Sequence, residues 1–138
     1  MEWTRWPLFL GGIFNFVMGL VFLTDRLLAG FLLVATRMEK TLFSREVVLA
    51  YPQDPVHLLL IHGFGAAALI LGATLIYCSK NPRPFLAFIF LDGLGRLLYG
   101  SIMVDYVYEY SLPYTVLLFG GIELLFAFCY LIISWKLR

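Results

Sequence analysis

An all-α protein is expected from this sequence: a four-transmembrane-helix bundle with a long outer loop containing short interfacial helices. Three features lead there. Of 138 residues, 62% are hydrophobic and only 14% charged, about half the charge share of a water-soluble domain. The apolar residues gather into four blocks, each close to the about 20 residues a helix needs to cross a bilayer. Breakers separate the later blocks: QDP at residues 53–55, SKNPRP at 79–84 and SLP at 111–113. Residues 1–138 are read as a single membrane domain.

The first helix is expected over residues 7–24, with Pro7 suited to a first helical turn. It lacks the short apolar core and small-residue cleavage site of a secretory signal, so it is read as retained. The outer loop follows over residues 25–54. Its stretch LLAGFLLVA (27–35) is too short to span and too apolar for water, residues 36–46 are polar, and residues 47–51 are apolar again. Short helices lying along the membrane surface fit that alternation. Helices two, three and four are expected over residues 56–77, 85–107 and 114–135.

An even number of crossings puts both termini on one side. That side would hold Arg5, Lys80, Arg83, Lys136 and Arg138, against Arg26, Arg37, Lys40 and Arg45 on the other, where Asp25, Glu39, Glu46 and Asp54 dilute them. The excess of basic residues makes the termini cytoplasmic. Trp3, Trp6 and Trp135 fall at the same boundary, where amphipathic rings prefer to sit.

Polar residues inside the apolar blocks are the candidate site. Arg96 lies near the middle of the third helix, Glu123 near the middle of the fourth and Asn15 near the middle of the first. Asp92 is about 6 Å from Arg96 along the axis, at about 1.5 Å per residue. His62 stands a similar distance outward of the second helix's midpoint. Helical spacing puts Asp92, Arg96, Tyr99 and Met103 on one stripe, and Gly120, Glu123, Ala127, Tyr130 and Ser134 on another, with Leu125, Phe128 and Ile132 opposite. On the first helix Gly11, Gly12, Asn15 and Gly19 share a side, and on the second Gly65, Ala66 and Ala73 accompany His62. Small residues beside a polar one mark faces where membrane helices meet.

A lone charge at the bilayer centre costs about 2.5–3.5 kcal/mol on insertion scales, and an arginine does not shed its proton. Arg96 is therefore expected to bridge Asp92 and Glu123, with Asn15 and either Tyr99 or Tyr130 completing the hydrogen bonds. Two outcomes follow for the cluster. It can fix which helices pair and in what register, or its surplus negative charge can serve a ligand or a proton.

Other features carry less chemistry. His57 and His62 point about 140° apart on a helix of about 3.6 residues per turn, so they cannot share one metal or haem, and a packed His62 is the plainer reading. Cys78 and Cys129, with no C-x-x-C between them, read as free thiols. Asp105, Tyr106, Tyr108, Glu109 and Tyr110 read as a solvated rim. No zinc spacing, nucleophile elbow or phosphate loop occurs, the short Gly-containing echoes at residues 62–65 and 92–95 are no duplication, and neither cofactor nor metal is expected. A net charge of +1 without a basic tract gives no reason to expect nucleic acid.

Four segments, FNFVMGLVFL (14–23), LGATLIYCSKNPRP (71–84), LDGLGRLLYG (91–100) and GGIELLFAFCYLI (120–132), together resemble a set of small four-helix bacterial membrane proteins of uncharacterised function. Asn15, Gly19, Leu20, Tyr77, Gly95, Arg96 and Glu123 fall on the places of that pattern. The resemblance implies the fold and a bacterial inner membrane, and carries no activity. The reading is a non-catalytic scaffold or accessory subunit, in the lipid bilayer with copies of itself or a membrane-complex partner. The alternative is binding or transport of a small polar-headed lipid, quinone or proton at the Asp92–Arg96–Glu123 cluster.

Overall fold

The structure, a computed structural model, describes residues 2–138, with the side chain of Glu2 left aside. It is helical: α1 (Arg5–Leu23), α2 (Asp25–Phe43), α3 (Pro55–Lys80), α4 (Leu86–Glu109) and α5 (Thr115–Lys136), with short 3-10 turns at Glu2–Thr4 and Arg83–Phe85. Four of the helices (α1, α3, α4 with its leading turn, and α5) are long and apolar enough to cross a membrane. Each matches an expected span to within a few residues. The largest difference is at the end of α3, which runs on through Cys78–Ser79–Lys80 because its first breaker is Pro82.

The segment between α1 and α3 departs from expectation. In place of short helices there is one continuous helix of 19 residues, α2, followed by a segment without regular secondary structure over residues 44–54. Sequence reading divides the segment at Ala35–Thr36, where apolar gives way to polar. Helix propensity does not follow that division: Leu, Ala, Arg, Met, Glu and Lys all favour the helix. Asp25 in the first turn and Lys40 in the last also suit the helix dipole. Leu28, Ala35 and Glu39 form its buried stripe, and Ser44, at φ 53°, ends it in the left-handed region.

The chain forms two compact units, to both of which α1 and α3 contribute: one comprises the chain up to Leu10 with Leu75–Arg138, the other Gly11–Thr74. In the second unit α1 and α3 meet backbone to backbone. A Cβ on Gly72 would stand 2.5 Å from the Phe16 nitrogen and 2.7 Å from the Gly12 carbonyl oxygen, and one on Gly19 would stand 2.6 Å from the Leu69 nitrogen. Lipid supplies no hydrophobic drive between helices, so contact at this range takes over as the cohesive force. Residues 44–54 are tied to α2 by Leu49 N–H donating to Thr36 Oγ1 at 3.1 Å and by Tyr51 Oη donating to Asp25 Oδ1 at 2.7 Å.

The first unit is built on the α4–α5 hairpin, turned at residues 110–114 with Ser111 at φ 52°. Gly93 faces Tyr130 and Leu131, and Gly100 faces Leu124 and the Gly120 carbonyl, which sets the antiparallel register. Leu75, Cys78, Ile89, Val107, Ala127, Tyr130 and Ile133 are buried, as is Leu8 near the start of α1. On the outer sides, Leu91 and Leu98 of α4 are exposed to 65% and 66%, and Leu125 and Phe128 of α5 to 62% and 57%. Apolar surface of this extent suits lipid, not water. Both cysteines are unbridged.

Candidate functional site

The α4–α5 interface carries the charged cluster. On α4, Asp92 and Arg96 lie one turn apart, so both side chains emerge on the face turned to α5. Arg96 Nε donates to Asp92 Oδ2 at 2.8 Å, an acid-before-base pair within one helix. Arg96 Nη1 donates to Glu123 Oε2 at 2.5 Å, across to α5. The three side chains are enclosed: Arg96 is 5% exposed, Asp92 7% and Glu123 12%.

Aromatic rings complete the enclosure. The Arg96 guanidinium carbon stands 5.2 Å from the Tyr130 ring centroid and 5.5 Å from that of Phe126. Desolvated cation–π contacts of this kind contribute up to about 2 kcal/mol each. Glu123, Phe126, Ala127 and Tyr130 follow i, i+3, i+4, i+7, so one stripe of α5 supplies both an acid and the two rings. Glycine at position 93 lets that stripe approach, since a Cβ there would meet the Tyr130 Cβ at 3.2 Å.

Tyr130 is fully buried, yet its hydroxyl takes no part in the charged cluster: it donates to the Pro7 carbonyl oxygen at 3.3 Å. That carbonyl belongs to the first turn of α1, so Tyr130 touches Arg96 with its ring and α1 with its hydroxyl. The expected hydrogen bond from Tyr130 to the cluster is thus replaced by a stacking contact. Tyr99, at i+3 from Arg96 on the same stripe of α4, is 43% exposed.

Two further candidates fall in the Gly11–Thr74 unit. Asn15 is buried on α1, at 7% exposure. His62 Nε2 stands 3.1 Å from Asp25 Oδ1, without the alignment of a hydrogen bond, beside the oxygen that accepts from Tyr51. His57 pairs instead with Asp54, Nδ1 to Oδ2 at 2.6 Å. The two histidines therefore serve different acids.

Phe126 is the residue that sequence reading passes over. Its spacing from Glu123 places it on the charged face, but an aromatic side chain in an apolar run carries no mark of a cation beside it. Chemically the assembly is a guanidinium held by two carboxylates and two π faces, with Arg96 Nη2 buried and donating to no described residue. Compared with protein-family models, curated proteins and solved structures, the chain matches none.

Proposed function

We propose that this is a multi-pass protein of the bacterial plasma membrane, one of the small four-helix proteins it resembles, with both termini at the cytoplasmic face. Its role is non-catalytic: a scaffold or accessory subunit, working beside copies of itself or a partner in a membrane complex. The observation that carries this reading is the enclosure of Arg96. A cation 5% exposed, already neutralised by two acids and covered by two rings, is placed to lock helices together. Buried polar groups in membrane helices commonly serve pairing and register.

A second reading is favoured by one detail. Arg96 Nη2 is an unused buried donor, and two carboxylates stand against one guanidinium. Such a site suits a small polar-headed lipid, a quinone or a proton. The triple variant Asp92→Asn, Arg96→Leu, Glu123→Gln separates the two readings, because it removes all three charges together. A scaffold stays inserted and keeps its size on gel filtration and its co-purifying proteins. If the folded triple variant instead loses a quinone or lipid that the wild-type chain retains through purification, by mass spectrometry, the scaffold reading is overturned.

A further inference from the structure

The end of the first unit where α1 begins, α3 and α5 finish and α4 starts holds a second feature. Five basic side chains, Arg5, Lys80, Arg83, Lys136 and Arg138, are exposed there, and none has an ion-pair partner among the described residues. Lys136 rests over the Trp3 ring at 4.9 Å and Arg138 over Phe90 at 5.5 Å. Beside them opens a groove of about 360 Å³ lined by Arg5, Trp6, Phe9 and Ser79. Ser79 is nearly buried and its hydroxyl already donates to the Ile76 carbonyl oxygen at 2.7 Å. Arg5 is therefore the groove's anion-binding group, and Trp6 and Phe9 form its apolar wall.

We propose that this groove binds an anionic phospholipid, with Arg5 on the phosphate and the Trp6 and Phe9 rings against the glycerol and the first acyl carbons. Charge complementarity carries the choice. Unpaired basic residues attract anionic lipid at a membrane surface, and rings at the ends of spanning helices sit at headgroup level. A soluble anion would use Arg5 but leave the aromatic wall uncovered. The site is separate from the Asp92–Arg96–Glu123 cluster and does not depend on its role.

The test uses the full chain, purified in neutral detergent and incubated with equimolar phosphatidylglycerol and phosphatidylcholine, with retained lipid read by native mass spectrometry. Phosphatidylglycerol is expected to be retained in preference. Arg5→Gln lowers that preference about fivefold, one basic side chain's share of the attraction, whereas Arg37→Gln on α2 and Arg5→Lys preserve it. Arg5 is exposed, so the variant keeps its fold, which circular dichroism checks. Equal retention of both lipids, an unchanged ratio in folded Arg5→Gln, or an equal fall in Arg37→Gln overturns the proposal. So does displacement of the lipid by an equal concentration of inorganic phosphate, which would make the groove a phosphate site.

Discussion

Arg96 and Glu123 face each other across the α4–α5 hairpin at 2.5 Å, and their ion pair joins the two helices. The Asp92 bond, at 2.8 Å, stays within α4 and fixes the guanidinium's direction before it reaches α5. Phe126 and Tyr130 then close over the same group. One side chain thus organises charge, hydrogen bonds and ring contacts between neighbouring helices.

Breaking this cluster unevenly is expected to cost more than removing it. Arg96→Leu leaves two enclosed carboxylates without their cation, and loss of one member of a buried pair costs about 3–5 kcal/mol. The triple variant Asp92→Asn, Arg96→Leu, Glu123→Gln leaves no bare charge and should recover most of that loss. Unfolding titrations in mixed detergent micelles measure both. A triple variant as unstable as Arg96→Leu would show that the side chains' shapes, not their charges, hold the hairpin.

The glycine contacts between α1 and α3 make a second prediction. Gly72→Ala puts a methyl group 2.5 Å from the Phe16 nitrogen, against backbone that cannot swing aside. The helices must separate, an overpacking penalty of about 1–3 kcal/mol. At Gly121 a Cβ would meet nothing within 4 Å, so Gly121→Ala should leave stability unchanged or slightly raised. Thermal unfolding of the two variants side by side decides it. Equal stability would show that α1 and α3 do not approach so closely.

The spans and the Arg96–Glu123 pair were legible for physical reasons that other parts of the molecule lack. Apolar runs near the length of a bilayer crossing admit few alternatives, and an arginine that stays charged at mid-helix must find acids at its own depth. Asp92 and Glu123 were the available ones. The rings on Arg96 left no comparable trace, because Phe126 and Tyr130 would occupy an ordinary apolar stripe equally well. The division of Tyr130 between ring and hydroxyl depends on where the Pro7 carbonyl comes to rest, which no local pattern encodes. Likewise α2 looked broken because its hydropathy changes at Ala35–Thr36, while the backbone follows propensity through that point.

The tether of residues 44–54 to α2 leads to a third prediction. Tyr51→Phe removes the 2.7 Å bond to Asp25 and should speed tryptic cleavage at Arg45, while Tyr108→Phe on exposed α4 surface should not. The hydrogen bond to Asp25 raises the Tyr51 pKa above the ordinary 10.0. A raised folded pKa gives stabilisation present below pH 10 and lost as pH climbs through the raised value. Cleavage of the wild-type chain should therefore quicken only in that alkaline range, and Tyr51→Phe should show no such step. Limited proteolysis across a pH series, with a synthetic substrate to correct for trypsin's own profile, reads both effects.

The start of α3 makes the opposite pH prediction. Asp54 stands just before Pro55, and its Oδ2 accepts from the His57 backbone N–H at 3.2 Å, an N-cap with proline in the first helical position. That backbone bond, with the His57 side chain's help, lowers the Asp54 pKa below its ordinary 3.8. A lowered folded pKa gives stabilisation fully present above the ordinary value and lost as pH falls through the lowered one. Amide exchange at residues 56–58, corrected for intrinsic rates, should hold steady from about pH 7 to pH 5 and quicken only below the usual carboxylate range. Asp54→Asn keeps a capping oxygen but no charge, so its first turn should be protected at neutral pH and insensitive to acid. Asp54→Ala loses the cap and should fray at every pH. An acid-sensitive first turn in Asp54→Asn would assign the effect to another group and remove Asp54 from the account.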